Sequence, residues 1–235
     1  MHSDGAARES GAGRRVRLLF NVPGERCETE YMNATDALRY IAFEGVEGAG
    51  KSSVASAIER QISQSGDRVV RVREPGGTPV GERVREILLS GDVHPLARSE
   101  AALFAAARAQ LVAEVVVPAL TAGSWVVSDR SAYSSLAYQA GGRGLPMEEV
   151  RQLNDIALGG VWPATVVLLR VDTTDGLARQ SDPDRIGGES EQFFDDVVAA
   201  FDALAAAEPN RFIVVDATQP LSTVISEVTH RLGIT

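Results

Sequence analysis

Eight consecutive residues, Gly45-Val46-Glu47-Gly48-Ala49-Gly50-Lys51-Ser52, satisfy the pattern G-x-x-x-x-G-K-[ST] in full. Glycines let so short a loop curl until successive backbone N–H groups point inward at a phosphate. Lys51 would then reach the β- and γ-phosphates, and the Ser52 hydroxyl would hold Mg²⁺. Ser53 completes the expected triphosphate cradle. The loop follows a short apolar run, Tyr40 to Glu44, and opens a stretch, Lys51 to Ser65, whose Val54, Ile58 and Ile62 recur at helical spacing. A helix beginning there adds the positive end of its dipole at the same point. A glycine-rich turn ahead of a helix has no reason to carry the Lys-Ser pair as well. The motif indicates nucleoside-triphosphate binding and leaves the reaction open.

A second set of chemical groups lies further on. Arg73 closes an expected strand from Arg68 and heads the sequence Arg73-Glu74-Pro75-Gly76-Gly77-Thr78-Pro79, and Asp129-Arg130 closes another expected strand, Trp125 to Asp129. Open α/β sheets bind ligands beyond the carboxyl ends of their strands. Two arginines there could hold the phosphate of an acceptor with forked hydrogen bonds, and Asp129 could complete the Mg²⁺ shell. Taken singly, each of these residues is equally compatible with a surface ion pair.

The elements that must position these groups alternate. After the first strand and helix, the pattern gives a strand to Arg73, a helix from Val80 to Leu89, and a long Ala-rich helix from Ser99 to Thr121. A strand to Asp129, helices from Ser134 to Gln139 and from Met147 to Leu158, and a β-branched strand from Thr165 to Val171 follow. A short helix at Gly176 to Arg179, a polar stretch from Gln180 to Ser190, a helix from Gln192 to Ala207, a strand from Arg211 to Asp216 and a helix from Leu221 to Leu232 complete the chain. The expectation is one α/β domain over residues 39–235, a doubly wound five-stranded parallel sheet flanked by helices. Residues 1–38 have no sustained period and read as a disordered extension, apart from an apolar patch at Val16 to Phe20 that could pair as an edge strand. Met32 is a candidate natural start.

Composition narrows the function further. The chain has 235 residues with 23 Lys plus Arg against 32 Asp plus Glu, a formal net charge of −9. That balance argues against sequence-independent nucleic-acid binding, which rests on a basic footprint. One cysteine, Cys27, cannot form an internal disulfide, and His2, His94 and His230 are too dispersed for a Cys/His zinc site. No apolar run looks near the ~20 residues of a membrane span, and no apolar stretch of signal-peptide length follows the basic N-terminus. A soluble cytoplasmic protein is expected, without nucleic-acid or membrane partners.

Phe43 to Ser52, Arg73 to Gly77, Asp129-Arg130 and Ser134-Ser135-Leu136-Ala137-Tyr138-Gln139, in this order, resemble the thymidylate kinase family from about Tyr40 to the C-terminus. The resemblance implies transfer of the γ-phosphate of ATP to dTMP with Mg²⁺, by a homodimer. It also implies roles that the residue types support. Phe104 would stack on the thymine ring and Arg108, four residues on, would donate to the base O4. Gln139 would meet the N3–H edge, assisted by Ser135. Tyr138 would crowd the sugar 2′ position and Glu47 would accept from the 3′-hydroxyl. Arg73 and Arg130 would grip the acceptor phosphate, with Arg85 in support. The polar stretch Gln180 to Ser190 resembles the family's lid, here short. Gly48 stands where one subclass carries a catalytic arginine, so a lid arginine is expected to supply that charge, Arg185 first and Arg179 second. Pairing of Arg185 with Asp182 or Asp184 is the bland alternative.

The sequence departs from the family pattern at Ser131, where an aromatic is usual, and at Gly187, where a Glu commonly follows the Ile. The competing readings are a related pyrimidine nucleotide kinase and a nucleotide-binding protein without transfer. A GTPase would need an N-K-x-D-type motif after a late strand, and none is present.

Overall fold

The computed structural model describes residues 15–17, 31–33, 38–179 and 183–234. In the N-terminal segment a strand β1 (Arg15–Arg17) pairs antiparallel with β2 (Tyr31–Asn33). The rest of that segment, including most of the Val16 to Phe20 patch, lies outside the described residues.

The domain is built on β3 (Tyr40–Glu44), a run of five residues all buried. An apolar strand buried on both faces belongs in the centre of a parallel sheet, and β3 sits there. The sheet order is β4 (Val69–Arg73), β5 (Trp125–Asp129), β3, β6 (Thr165–Arg170), β7 (Phe212–Asp216), with all neighbours parallel. The chain thus builds one half of the sheet and then crosses β3 to build the other, which opens a crevice beyond the carboxyl ends. Register brings the chemistry together there: Asp129 lies opposite both Phe43 and Arg73.

Alternate residues of the central strands face opposite sides of the sheet. Ile41, Phe43 and Val127 join a core with Val54 and Ile58 of α1 (Lys51–Gln64) and Phe194, Val197 and Phe201 of α7 (Glu191–Ala207). Tyr40 and Val126 join a second core with Leu111, Val116 and Leu120. These last residues belong to a rod of 25 residues, Ala97–Thr121. It comprises α3 (Ala97–Leu111), a π-helical turn (Val112–Val116) and a last helical turn (Val117–Thr121). Pro118 explains the widened turn, because its ring cannot donate and would clash with the carbonyl four residues back; Val117 N–H bonds instead to the carbonyl of Val112.

This rod corrects one expectation. By length and composition it could cross a membrane, but half of its most apolar window is buried inside the domain, and its buried face holds Glu100 and Arg108. Two charged residues on the core-facing side, each paired with residues of other elements, mark a core helix, not a lipid-facing one.

The other helices are α2 (Pro79–Leu89), capped by Thr78, whose hydroxyl accepts from Gly81 N at 2.9 Å; α4 (Ala132–Ser135), which runs on as a π-helical segment, Leu136–Gly142; α5 (Met147–Leu158); α6 (Thr173–Ala178); and α8 (Leu221–Leu232). The helix expected from Ser134 to Gln139 therefore starts earlier, ends later and is mostly π-helical. Of the expected lid, residues 180–182 lie outside the described residues, and Arg185 to Gly188 form turns.

Phe194, in the first turn of α7, is fully buried in the core. Phe194→Ala is expected to lower the unfolding free energy by about 3–5 kcal/mol, the usual result of emptying a large aromatic site. Urea denaturation followed by circular dichroism measures it.

Candidate active site

The loop from Gly45 to Gly50 joins the buried end of β3 to α1, and two close approaches fix its path. A side-chain carbon on Gly45 (φ 138°) would lie 2.5 Å from the Leu169 carbonyl oxygen, and one on Gly48 (φ 72°) 2.0 Å from the carbonyl oxygen of Gly176, in α6. No other residue type fits at Gly48 unless α6 moves away. The loop's other wall is set by Glu44, fully buried, which accepts hydrogen bonds from Ser131 Oγ at 2.7 Å, Ser134 N at 3.1 Å and Ser134 Oγ at 2.5 Å. Burial pushes its carboxyl up, and those serines with Arg130 and Lys51 pull it back. Ser131, the departure from the family pattern, thus caps α4 through Tyr133 N (3.2 Å) while donating to Glu44.

Lys51 is buried, and its Nζ donates to the Val46 carbonyl at 2.7 Å. Burial lowers its pKa to about 8, with Arg130 adding to the effect and Glu47, Asp129 and Glu44 opposing it. Ser52 Oγ donates to Asp129 Oδ2 at 2.5 Å. A hydroxyl and a carboxylate converging beside a phosphate loop are hard oxygen donors of the kind Mg²⁺ takes in nucleotide sites, with phosphates and waters filling the remaining positions. Ser53 lies beside them, exposed on α1.

Arg130 follows β5 with φ at 70°, a left-handed conformation uncommon for a residue with a side chain. Its guanidinium bridges the loop to the neighbouring cavity: Nη1 donates to the Gly45 carbonyl at 3.2 Å and to Ser134 Oγ at 3.3 Å, and Nη2 to Glu47 Oε1 at 2.6 Å. It also stacks over the Tyr138 ring at 4.9 Å. Tyr138 in turn donates to Glu47 Oε2 at 2.7 Å. Burial alone would raise the Glu47 carboxyl, but Arg130 and Lys51 outweigh it and hold it below its ordinary range.

The cavity beyond this ion pair is lined by Glu47, Arg130, Arg85, Phe104, Ser135, Tyr138 and Gln139, with Glu74, Asp184 and Ile186 among the other wall residues. Most residues singled out in the sequence for an acceptor meet here. Arg73 and Arg108 are not among the lining residues. Arg73 is half exposed and forks onto Glu82 at 3.0 and 2.8 Å, away from the wall, because Glu82 also accepts from Gly77 N (2.7 Å) and so closes the Gly76-Gly77 turn. Arg85, expected only in support, is the arginine that shares the wall with Arg130, its Nη1 anchored on the Pro75 carbonyl at 3.0 Å. Arg108 lies behind the wall, fully buried. It pairs with Glu74 at 2.6 Å, donates to Ser135 Oγ at 3.2 Å and to the Ser131 carbonyl at 3.1 Å, and also bonds Asn154. Rather than reaching a base directly, in this geometry it holds Ser135 and Glu74, which do line the cavity. Burial pushes the Glu74 carboxyl up to about 7, against the pull of Arg108.

The two lid arginines separate. Arg179 Nη1 lies 3.4 Å from the Gly48 carbonyl and 3.3 Å from that of Ala217, at the phosphate loop. Arg185 instead reaches across the cavity rim to Glu100 (2.6 Å) and to the Leu88 carbonyl (2.8 Å). Its partner is therefore neither Asp184, which turns its carboxylate onto Ile186 N and Gly187 N, nor the phosphate loop.

Sequence reasoning missed Glu44, Glu74, Glu82, Asn154 and Glu100. A signal existed for two of them. Glu44 is a lone carboxylate ending an apolar strand, and Glu100 precedes Phe104 and Arg108 at four-residue intervals, on one helical face. Among the described residues no cluster of three or more His, Cys, Asp or Glu could hold a metal unaided.

A parallel sheet with a phosphate loop at its central strand, a hydroxyl–carboxylate pair for a divalent ion and an arginine-rimmed cavity alongside define a P-loop nucleotide kinase. The family model described as Thymidylate kinase matches residues 43–228. The chain is 44% identical over 192 residues to the thymidylate kinase of Deinococcus radiodurans, covering 80% of this chain and 93% of that protein. It is 46% identical over 199 residues to that of Leifsonia xyli subsp. xyli (82% and 93%) and 40% identical over 202 residues to that of Ralstonia pickettii (83% and 98%). The chain belongs to the thymidylate kinase family.

The burial of Lys51 sets a pH dependence. Only the protonated amine serves a phosphate, so kcat/KM for ATP, which reports the free enzyme, is expected to fall as pH rises through about 8. Lys51→Arg, charged throughout that range, should flatten the decline even if it lowers the plateau. A pH–rate profile of both proteins decides, and an equal decline in both removes Lys51 as its source.

Proposed function

We propose that the protein transfers the γ-phosphoryl group of ATP to the 5′-phosphate of dTMP, giving dTDP and ADP, by direct in-line displacement. One observation carries the reading: the acceptor cavity and the phosphate loop share a single ion pair, Glu47 with Arg130 at 2.6 Å. A nucleotide seated in the cavity would therefore present its phosphate to the donor without crossing solvent.

Phe104 offers its ring face to a pyrimidine, and Gln139 and Ser135 offer polar groups to its edge. Tyr138 and Glu47 stand where a sugar would lie; the tyrosine disfavours a 2′-hydroxyl and the carboxylate accepts from a 3′-hydroxyl. Arg130 and Arg85 grip the acceptor phosphate, and Arg73 can join them only by leaving Glu82. The loop from Gly45 to Ser53 cradles ATP, with Lys51 on its terminal phosphates. Ser52 and Asp129 hold Mg²⁺, which neutralises charge on the phosphate oxygens. Arg179, beside Gly48, is better placed than Arg185 to add positive charge at the transferring group. The enzyme acts on these small molecules in the cytoplasm, without nucleic-acid or membrane partners, and as a homodimer, which sedimentation velocity tests.

The deciding measurement is ADP release with Mg·ATP and dTMP, dUMP, UMP, dCMP or dAMP. Fast turnover with dTMP, slower with dUMP and negligible with UMP is expected, with Lys51→Ala losing on the order of 10²-fold or more in kcat, as for removal of a group that stabilises transition-state charge. Preference for another acceptor would keep a pyrimidine nucleotide kinase, and ATP binding without turnover would leave a nucleotide-binding protein.

The two arginines at the acceptor end separate by variant. Arg85→Ala should raise the KM for dTMP by about 10-fold or more, since a charge-assisted hydrogen bond contributes roughly 1.5–3 kcal/mol. Arg73→Ala should raise it less. A reversed order would show that Arg73 releases Glu82 on binding.

A further inference from the structure

Glu100 stands behind the cavity-lining Gln139 and no step above uses it. Its side chain is 1% exposed, and both of its oxygens are occupied. Oε1 accepts from Gln139 Nε2 at 3.1 Å and from Arg143 Nε at 3.1 Å; Oε2 accepts from Arg143 Nη2 at 3.2 Å and from Arg185 Nη2 at 2.6 Å. Arg143 is itself held by Glu189 at 2.6 Å and lies over the Phe193 ring at 4.6 Å. The carboxyl is held below its ordinary range: burial works against the charge, and Arg143 and Arg185 overcome it.

An ionised carboxylate can only accept. Gln139 must therefore turn its amide nitrogen toward Glu100, and its other end, the amide oxygen, is directed away from it. Gln139 lines the cavity, and no described hydrogen bond is donated to its Oε1. A free amide would be able to rotate and present either a donor or an acceptor; a clamped one presents the acceptor.

We propose that Glu100 is a specificity-determining positioning residue, which fixes the Gln139 amide so that its oxygen faces the acceptor and selects a pyrimidine whose N3 bears hydrogen. The inference rests on the pyrimidine-nucleotide reading of this cavity. Thymine and uracil carry an N3–H and satisfy the oxygen. Cytosine has a lone pair at N3, so two acceptors would face each other in a buried site, which rejects the base through an unpaired polar group rather than through its size.

The test compares kcat/KM for dTMP, dUMP and dCMP in the wild type, Glu100→Gln, Glu100→Asp and Gln139→Met. Glu100→Gln can donate to Gln139 and frees its amide to rotate, so the dTMP/dCMP ratio should fall by about 10-fold or more, the size of a lost polar contact. The dTMP/dUMP ratio should stay within about twofold, because both substrates share the N3–H. Glu100→Asp, which still only accepts, should keep more of the dTMP/dCMP ratio than Glu100→Gln. Gln139→Met changes no buried charge and should narrow the same ratio, so the test survives if Glu100→Gln does not fold. General structural damage would lower all three substrates together. A dTMP/dCMP ratio unchanged in Glu100→Gln, or in Gln139→Met where that is the variant that folds, overturns the proposal. Failure of the wild type to phosphorylate any pyrimidine nucleotide would instead remove the functional reading beneath it.

Discussion

The arrangement of this site depends on one buried carboxylate. Glu44 ends the central strand with no exposure to water, and its oxygens are satisfied by Ser131 and Ser134 from the segment after β5. A buried carboxylate without such donors would cost several kcal/mol and would become protonated or drag the strand end toward solvent. The three hydrogen bonds therefore lock the carboxyl ends of β3 and β5 in register. The phosphate loop leaves one end and Arg130 leaves the other, so the donor and acceptor halves of the site are set by the same contact. Ser131 gains meaning in this light. A small hydroxyl residue reaches Glu44 and caps α4, which an aromatic side chain could not do in the same space.

Around that node, charge is distributed in layers. Lys51 is buried and Arg130 half-buried beside the loop, and the arginine's charge adds to burial in lowering the tendency of Lys51 to hold its proton. Glu47, Asp129 and Glu44 oppose that effect. The second layer is the Glu74–Arg108 pair, which faces no solvent and so gives weak evidence for stability but strong evidence for fixed geometry. Through Asn154, Ser135 and the Ser131 carbonyl, Arg108 connects α5, α4 and the end of β5. Removing one partner would leave the other charged and buried, so the pair acts as a unit.

Much of this was legible in the sequence, for reasons that differ by residue. The loop from Gly45 to Ser52 is local in the chain, and its chemistry follows from eight adjacent residues. The five parallel strands were legible because apolar β-branched runs alternate with helical periods. Phe104, Tyr138 and Gln139 reached the cavity as expected from a resemblance, not from periodicity. What was not legible depends on which side chains pair in space, whether the partner is nearby in the chain, as Glu82 is for Arg73, or distant, as Asn154 is for Arg108. Arg73 has Glu82 as a neighbour in space, and nothing in its spacing says that it prefers that carboxylate to the crevice. Arg108 carries the helical phase of a cavity residue, yet Glu74 and Asn154 draw it behind the wall. The long helix to Thr121 was legible as an Ala-rich run, but not that it reaches membrane-span length, because charged residues such as Glu100 and Arg108 interrupt its apolar run in sequence, while the packed domain gives both of them partners.

The lid illustrates the same limit and shows how steric and electrostatic demands exchange. A side chain at Gly48 would collide with the Gly176 carbonyl at 2.0 Å, so the loop itself cannot carry a cation at that position without displacing α6. Positive charge has to arrive from another segment, and the short α6 delivers Arg179 to the Gly48 carbonyl as it ends. Arg185 is only six residues further along the chain, but Glu100 captures it at the opposite rim. Because Glu100 is nearly inaccessible, its charge is costly unless both oxygens are well supplied with donors, and Arg185 adds a second cation to the one Arg143 provides. The capture therefore serves the needs of the buried acid, and the arginine's position follows from it.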